Sequence, residues 1–469
     1  MNRFTCMLFL LLAIPASATE RISAATAHQI DYDVATVLAR TETPGATILV
    51  LQDGQRIYSH AYGHRDLERR RPVAMDTHYE IGSITKQFTA AAILQLQEAG
   101  KLNIDTKVSA YLPQVPHANE ITLRQLLTHT SGMPDYLDFI SDKETTKPTT
   151  FLRLMDLIGD KPLDFPPGGK ASYSNTGYMI LGRIIEVTSH ESYRHYIRAH
   201  LLQVAGMTQT FTVLDEPTLS TMAVGYRRVN GRLTRGLTIH DSYSGSAGDL
   251  VSTVSDVEKW NEALMSGKIV RSADYALMTT PQMSSGGENT GYGFGLFIDT
   301  VNDQPRIGHT GGTFGFTCAN FYFPEQKLRI IAFTNNVDHP EPGEVLTNAI
   351  FTDLYPDFAR AAREPKPGED PTVTARAKAA FENLQEGSGD ASLFGASLNA
   401  KLIAGVAAHM AGIYGSYGAS TSYVFKGRRL DNGKSWSDYR IEFGPGSALK
   451  FSIALDAEGK VVSLGFDGF

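Results

Sequence analysis

The order of hydrophobic and polar residues near the N-terminus predicts one helix followed by a β-hairpin. Residues 21 to 40 have apolar side chains at the spacing of one helix face, which is typical of an amphipathic helix. Apolar runs over Ala46–Gln52 and Arg56–Tyr62 predict two strands. Asp53-Gly54 stands between the runs, and this dipeptide favours the tight turn of a hairpin.

The middle of the chain is predicted to be mainly helical. Residues 83 to 99 are rich in Ala, Leu, Ile and Gln, and Gly100 provides the end of that helix. Helix and loop are expected from about 104 to 210. Helical apolar spacing recurs there in Leu123–Thr128, Tyr178–Thr188 and Tyr193–Val204.

Beyond residue 290 the pattern changes to β structure. Strands are predicted over Tyr292–Ile298, Phe314–Phe323 and Leu328–Thr334, followed by a closing helix over Val345–Leu354. Strands at both ends with helices between them indicate an α/β fold. We expect an antiparallel sheet flanked by helices, with the inserted helical region forming one wall of a cleft.

A second, smaller domain is predicted after a linker. Residues 363–371 are short, charged and proline-rich, which favours an exposed spacer. Helical patterns follow at 372–386 and 398–411, and then four strands near 422–430, 436–443, 448–455 and 460–467. We therefore predict a larger domain over 19–362 and a C-terminal α+β domain over 372–469.

Composition and charge narrow the expected partners. Of 469 residues, 42% are hydrophobic and 20% charged, as in ordinary globular proteins. Lys and Arg number 43 against 50 Asp and Glu, so the formal net charge is −7. This balance supplies no basic surface for nucleic acid or an anionic membrane. A small molecule or short peptide is the expected partner, and the oligomeric state stays open.

The N-terminal residues predict export. Arg3 precedes an apolar run from Met7 to Ile14, and Ala16-Ser17-Ala18 follows with the small-residue pattern of a signal peptidase site. The run is too short to be a transmembrane helix. We expect a signal peptide over 1–18 and a periplasmic or secreted protein.

Ser83-Ile-Thr-Lys86 is the first candidate for chemistry. It stands where a predicted strand, Thr77–Ile81, turns into a helix, and residues three apart share one helix face. The Lys86 amine can therefore reach the Ser83 hydroxyl, beside a backbone N–H that has no partner within the helix. Alone, Ser83 is more simply a helix cap. The same spacing recurs at Ser447-Ala-Leu-Lys450, where a strand would separate the two side chains.

Two further motifs lie downstream. Tyr173-Ser174-Asn175 precedes a predicted helix, and His309-Thr310-Gly311-Gly312 precedes a predicted strand. Taken alone, the first is a cap beside a half-buried aromatic residue, and the second is a turn with a surface histidine. Adjacent glycines nevertheless permit close approach of the backbone to a ligand.

Together and in this order, the three motifs resemble those of the serine β-lactamase and penicillin-binding-protein superfamily. The resemblance is greatest to its branch of class C β-lactamases, DD-carboxypeptidases and family VIII esterases. It covers roughly residues 28 to 355, including the segments Leu126–Gly132 and Ser246–Leu250. It implies a serine hydrolase that forms an acyl-enzyme on an ester, a D-amino-acid peptide or a β-lactam.

The resemblance also implies catalytic roles. Ser83 would be the acylated nucleophile, Lys86 would activate it, and Tyr173 would relay the proton to the leaving group. The backbone N–H groups of Ser83 and Gly312 would form the oxyanion hole.

Substrate-binding roles are implied for four further residues. Asn175 would bind the acyl-side amide of the substrate, and His309, Thr310 and Gly311 would line the strand edge on which the substrate lies. His309 stands where the lactamases usually have lysine, and the histidine form resembles some DD-peptidases and related hydrolases. Since imidazole is mostly neutral above pH 7, we expect weak attraction for a substrate carboxylate.

No metal or cofactor is expected. His190, His195 and His200 recur every five residues, a spacing that does not keep them on one helix face.

The C-terminal domain resembles small cystatin-like or nuclear-transport-factor-like extensions of such hydrolases. The alternative function is a non-catalytic or weakly catalytic protein that binds cell-wall peptide or assembles with partners.

Overall fold

The computed structural model describes residues 22–214, 219–338, 340–431 and 433–468. The predicted signal peptide, residues 1–18, lies outside the described residues. None of the helices in these ranges has the length and apolar character needed to span a bilayer.

The largest sheet has seven strands in the order β3-β2-β1-β12-β11-β10-β9, and its neighbours pair antiparallel. A four-stranded sheet, β13-β14-β15-β16, lies in the C-terminal part. The strands are β1 (Gly45–Gln52), β2 (Gln55–Asp66), β3 (Arg71–Pro72), β4 (Tyr79–Glu80), β5 (Phe211–Thr212), β6 (Tyr226–Val229), β7 (Arg232–Arg235), β8 (Leu250–Ser252), β9 (Phe297–Val301), β10 (Gln304–Gly312), β11 (Thr317–Phe323), β12 (Leu328–Thr334), β13 (Ser422–Asp431), β14 (Lys434–Glu442), β15 (Ala448–Leu455) and β16 (Val461–Gly468).

Helices cover both faces of the large sheet and fill the region between its first and last strands. The helices are α1 (Ala24–Arg40), α2 (Thr85–Glu98), α3 (Leu123–Leu127), α4 (Phe151–Ile158), α5 (Asn175–Ser189), α6 (Tyr193–Tyr196), α7 (Gln203–Ala205), α8 (Asp241–Gly248), α9 (Val254–Met265), α10 (Ser272–Thr279), α11 (Pro342–Leu354), α12 (Pro356–Ala362), α13 (Pro371–Glu386), α14 (Ala396–Lys401) and α15 (Ala407–Tyr414).

Strand β1 divides the interior into two cores. Side chains alternate along a strand, so Ile48 and Val50 point to the side covered by α1 and α11. Leu49 and Leu51 point to the other side and pack in the core that contains most of α2. This architecture confirms the predicted α/β fold, an antiparallel sheet flanked by helices with helices inserted between its strands.

The predicted hairpin is present and has the expected turn. β1 pairs with β2, and both Asp53 and Gly54 have positive φ, as a tight hairpin turn requires. The helix expected over 83–99 is α2, which is preceded by a 3₁₀ turn over Gly82–Ile84, and Gly100 follows it with positive φ. The hairpin and the helix are therefore where the local sequence patterns predicted them.

The His309–Gly312 segment is a strand, which the sequence pattern did not predict. Three glycines and Pro305 lower the β propensity of β10, yet the strand needs glycine where it approaches its neighbours. A Cβ atom on Gly311 would lie 1.9 Å from the carbonyl oxygen of Ile81. The expected strand over Tyr292–Ile298 begins later, at Phe297, and leaves Tyr292 in the preceding loop.

The C-terminal sheet has a hydrophobic core of its own. Phe381 of α13 packs against Phe443 and Phe451, and Phe425 and Tyr439 close the same cluster. Two helical segments and four strands occur in the order that the sequence predicted. The structure thus has the expected small C-terminal α+β domain, while its exact limits stay predictions.

Residues 363–370 contain no helix or strand, but they are held against the C-terminal sheet. Arg363 donates to both carboxylate oxygens of Glu442 at 3.0 Å, and the Lys366 N–H donates to the Phe425 carbonyl at 3.0 Å. Direct contacts also join the domains, because Arg440 donates to Asn302 Oδ1 at 3.0 Å. The predicted spacer is therefore fixed in place by hydrogen bonds.

Candidate active site

Ser83 and Lys86 lie together at the start of α2. Ser83 is in the 3₁₀ turn that leads into the helix, and Lys86 follows on the same face. Lys86 is fully buried, and its Nζ lies 2.9 Å from Ser83 Oγ. The helix start thus holds an amine and a hydroxyl in direct hydrogen-bonding contact.

Two other oxygens hold the Lys86 amine in place. Asn175 Oδ1 and the Ala247 carbonyl oxygen each lie 2.9 Å from Nζ. Burial lowers the pKa of Lys86 to about 7, against an opposing effect of the Asp135 carboxylate. A neutral amine has two N–H donors and one lone pair. With the donors directed at Asn175 and Ala247, the lone pair faces the Ser83 hydroxyl and can accept its proton.

Asp135 orients Asn175, and the motif analysis did not identify it. One carboxylate oxygen, Oδ2, accepts from the Asn175 backbone N–H at 2.7 Å and from Nδ2 at 2.9 Å. The amide oxygen of Asn175 is thereby turned toward Lys86. In the sequence, Asp135 has only the signal of a helix cap, and it does cap a 3₁₀ turn by accepting from the Leu137 N–H.

The resemblance implied that Asn175 binds substrate, and the structure adds a second set of contacts. Its side chain lines the pocket next to Ser83 while bonding Lys86 and Asp135. One Nδ2 hydrogen is used by Asp135, and an amide nitrogen has two. Asn175 can therefore position Lys86 and still donate to a ligand.

Tyr173 places a neutral hydroxyl at the nucleophile. Lys86 Nζ lies 4.7 Å from the ring centroid, and Ser83 and Tyr173 line the same pocket. Burial raises the pKa of Tyr173 well above 10, against an opposing effect of the nearby Ser83 side chain. The residue keeps 40% exposure, so the phenol also reaches the pocket. At neutral pH it is a proton donor and acceptor, while Lys86 is the stronger base.

The end of β10 lies against the Ser83 turn. A Cβ atom on Gly311 would lie 3.1 Å from the Ser83 backbone nitrogen. A Cβ atom on Gly82 would lie 2.9 Å from the Gly312 nitrogen, whereas Gly312 faces open space. Only glycine permits this approach of two backbones. The arrangement brings the backbone amides of Ser83 and Gly312 to one edge of the pocket.

The His309 side chain is buried beside the pocket, with its ring centre 6.0 Å from that of Tyr173, and its substrate-binding role stays a prediction. Over the last four residues of β10, His309 and Gly311 are buried while Thr310 and Gly312 are more exposed, as expected for side chains on alternate faces of a strand. His309 is 1% exposed, and its Nε2 lies 2.9 Å from the Tyr292 hydroxyl. Burial and then the nearby Lys86 lower its pKa to about 3, so the ring is neutral at pH 7.

Thr310 and Gly311 are absent from the pocket wall. The wall begins at Gly312 and continues through Thr313 and Phe314. Gly311 packs closely on Ile81, and the substrate-binding roles of Thr310 and Gly311 stay predictions.

Aromatic and histidine rings support Tyr173 from behind. His129 lies 4.3 Å from the Tyr173 ring centre, and its Nδ1 accepts from the Ser174 N–H at 3.1 Å. Phe297 stacks on Tyr173 at 6.0 Å. His129 belongs to the segment Leu126–Gly132, whose resemblance to the superfamily gave it no individual role. These contacts fix the orientation of the phenol.

The pocket beside Ser83 has a volume of about 300 Å³ and a mostly apolar wall. Within the described ranges, the wall includes no Lys, Arg, Asp or Glu side chain. Its residues are Ser83, Tyr136, Leu137, Tyr173, Asn175, Ile239, Tyr243, Ser244, Ala247, Gly248, Gly312, Thr313, Phe314 and Val337. Such a cavity suits a small ligand with an uncharged, hydrophobic group.

The histidines considered as metal ligands lie apart from this pocket. His195 and His200 both approach Glu191, and His190 ends α5 in a left-handed conformation. In the described parts of the chain, no group of three or more His, Cys, Asp or Glu side chains could hold a metal ion.

Comparisons with known proteins show the family to which this chain belongs. The family model described as Beta-lactamase matches residues 30–352. Penicillin-binding protein 4* of Bacillus subtilis (strain 168) is 28% identical over 363 residues, which cover 73% of this chain and 80% of that protein.

Two solved structures extend the comparison. The penicillin binding protein from Bacillus halodurans is 26% identical with a TM-score of 0.57, and the match covers 68% of this chain and 98% of that one. The octameric penicillin-binding protein homologue from Pyrococcus abyssi is 23% identical with a TM-score of 0.63. That match covers 94% of this chain and 98% of the other, and it shows similarity of fold.

Proposed function

The chain belongs to the β-lactamase family of serine hydrolases, and we propose that it cleaves its substrate through an acyl-enzyme on Ser83. The observation that carries the proposal is the contact of Lys86 Nζ with Ser83 Oγ, Asn175 Oδ1 and the Ala247 carbonyl, each at 2.9 Å. This arrangement supports Lys86 as the base that activates Ser83.

Acylation begins with transfer of the Ser83 proton to the neutral Lys86 amine. Ser83 Oγ forms a bond to the substrate carbonyl carbon, and the backbone amides of Ser83 and Gly312 stabilise the oxyanion. As the bond to the leaving group breaks, Tyr173 gives its proton to that group and regains one from Lys86. A water molecule then attacks the acyl carbon and gives one proton to the Lys86–Tyr173 pair; the bond from that carbon to Ser83 Oγ breaks, and the proton passes to Oγ as the acid product leaves.

The apolar pocket supports an uncharged acyl or leaving group as the preferred substrate. An ester, a D-amino-acid peptide and a β-lactam all present a suitable carbonyl to this machinery. A substrate carboxylate would meet no cationic side chain on the described wall. We therefore place short neutral esters and amides first and anionic β-lactams last.

Export completes the proposal. The predicted signal peptide over 1–18 would deliver the mature chain to the periplasm or the outside of the cell. Substrates that occur there include short peptides and small esters.

Covalent labelling tests the proposed nucleophile. The full chain is incubated separately with a fluorophosphonate, a penicillin and an activated ester, and intact mass is measured. The fluorophosphonate should add one label to the wild type and to Ser59→Ala, an exposed serine control, and none to Ser83→Ala.

Peptide mapping then decides between the functions. A label on the peptide that contains Ser83 supports the acyl-enzyme, and a label on Ser447 contradicts it. A folded wild type that reacts with none of the three reagents would favour the alternative, a non-catalytic protein that binds cell-wall peptide.

A further inference from the structure

A second cavity lies between the two domains, apart from the pocket of the proposed function. It has a volume of about 320 Å³, similar to that of the Ser83 pocket. The start of α11 forms one wall, with Glu341 and Glu344. The C-terminal domain forms the other wall, with Tyr414, Tyr417 and Ser447. We refer to this cavity as the inter-domain cleft.

Glu341 has a carboxyl group that bonds no other described side chain. It occupies the N-cap position of α11, but its side chain makes no capping hydrogen bond. In the part of the chain that the structure describes, no ion pair or side-chain hydrogen bond involves Glu341. Burial, and then the neighbouring Glu344, raise its pKa to about 7. A bound cation would relieve both effects.

The two nearby arginines are directed at groups other than Glu341. Arg306 donates to Glu344 and also to Asp299 at 2.6 Å, so one guanidinium serves two carboxylates. Arg40 is directed at backbone carbonyls of the C-terminal domain, those of Phe443 and Pro445. Among the described residues, neither arginine donates to Glu341, so its carboxylate stays available to a ligand in the cleft.

Aromatic rings lie opposite the carboxylates. The Tyr414 and Tyr417 ring centres are 6.0 Å apart at an interplanar angle of 47°. Phe466, which also lines the cleft, stacks on Tyr414 with ring centres 4.7 Å apart. Ring faces attract organic cations, most strongly where water is partly excluded. Carboxylates on one wall and aromatic rings on the other are complementary to an alkylammonium group.

Ser447 adds a buried polar group that lacks a partner. It is 5% exposed, its N–H donates to the Gly444 carbonyl at 3.1 Å, and its carbonyl accepts from the Phe443 N–H at 2.9 Å. Its hydroxyl oxygen has no hydrogen-bond partner among the described residues. Buried hydroxyl groups are normally hydrogen-bonded, so this one points to a ligand with a polar group beside its cationic one.

We propose that the inter-domain cleft binds an organic ammonium cation. Glu341 is the counter-ion, the rings of Tyr414 and Tyr417 contact the cationic group, and Ser447 Oγ bonds a neighbouring hydroxyl or carbonyl of the ligand. A free amine and the amino end of a peptide share this chemistry.

Calorimetric titration of the full-chain Ser83→Ala variant at pH 7.5 tests the proposal without turnover. Choline is compared with its uncharged analogue 3,3-dimethylbutan-1-ol, and glycylglycine amide with its N-acetyl form. At least one cationic probe should bind about tenfold more tightly than its neutral match. The pair that shows the difference identifies a free amine or a peptide as the source.

Variants assign the site. Glu341→Gln and Tyr417→Leu should each weaken binding about tenfold, whereas Tyr417→Phe, which keeps the ring, and the exposed control Glu458→Gln should not. Circular dichroism checks that each variant is folded. The proposal is overturned if neither cation binds up to millimolar concentration, if neutral probes bind equally, or if Glu341→Gln leaves the affinity unchanged. The Ser83→Ala background separates these outcomes from any failure of the hydrolase proposal.

Discussion

Ser83–Lys86 and Ser447–Lys450 have the same spacing of serine and lysine but opposite structural settings. In the first pair, a 3₁₀ turn and a helix bring the two side chains onto one face, and Nζ lies 2.9 Å from Oγ. In the second pair, Ser447 ends a turn and Lys450 lies on strand β15. Residues three apart in extended chain point to opposite faces, so this amine is directed away from the hydroxyl. Of these two pairs, only the one followed by a helix brings the amine into contact with the hydroxyl.

Replacing the lysine of each pair in turn should give the largest difference in activity between the two motifs. Lys86→Met removes the base and keeps the chain length, and we expect kcat/KM for an activated ester to fall about a thousandfold. Lys450→Met should leave it within about twofold. The measurement is steady-state hydrolysis with thermal unfolding as a check on folding. Equal losses in both variants would contradict the assignment of Lys86.

The pH dependence should also distinguish the pairs. With a Lys86 pKa of about 7, the reactive neutral amine predominates above pH 7 and is lost below it. We expect kcat/KM for a neutral ester to rise from pH 5, reach half its maximum near pH 7, and level off above pH 8. An ordinary exposed lysine would place that midpoint above pH 10.

Replacing Asp135 should shift the pH dependence of kcat/KM. Its carboxylate raises the pKa of Lys86, so Asp135→Asn should shift the midpoint to lower pH by about one unit. The variant also weakens the fixed orientation of Asn175, and we expect a roughly tenfold lower plateau. Asp138→Asn, on the same 3₁₀ turn but exposed, should leave both values unchanged. A midpoint that stays in place would show that Asp135 has only a structural role.

The sequence could predict the elements whose structure depends on neighbouring residues, but not those that depend on contacts between distant parts of the chain. Hairpin β1–β2, helix α2 and the four C-terminal strands follow from patterns within a few residues, and the structure has them where expected. Strand β10 was missed because Gly311 is needed for a contact with residues 81 to 83, more than 200 positions away. Asp135 was missed for the same reason, since its role depends on contact with Asn175.

Introducing a lysine at position 337 or at position 309 tests which of the two residues faces the substrate. Val337 lines the pocket, so Val337→Lys should shift the ratio of kcat/KM for a penicillin to that for a neutral ester about tenfold toward the penicillin. His309→Lys should not change the ratio, because residue 309 is enclosed, and it should lower the melting temperature. Rates for both substrates at two salt concentrations measure the effect. If only His309→Lys shifts the ratio, residue 309 faces the substrate and residue 337 does not.

The smallest effect on chemistry is expected from removing the domain that carries Ser447 and Lys450. Ser83, Lys86, Tyr173 and the pocket wall all come from residues before 338. A chain ending at residue 362 should therefore react with a fluorophosphonate at a rate within about twofold of the full chain.

Stability should change more than reactivity in that truncation. In the truncated chain, Arg40 loses its hydrogen bonds to the carbonyl groups of Phe443 and Pro445. The close contact of Gly446 with α11 is also lost; a Cβ atom on Gly446 would lie only 2.0 Å from the Val345 carbonyl oxygen. We expect the melting temperature to fall by roughly 5 °C. Labelling rate and circular dichroism are measured on the same samples, with full-chain Arg40→Ala as a control that weakens the interface alone. A truncated chain that is folded but does not react would show that the C-terminal domain helps to form the Ser83 site, so the two serine–lysine pairs would no longer be independent.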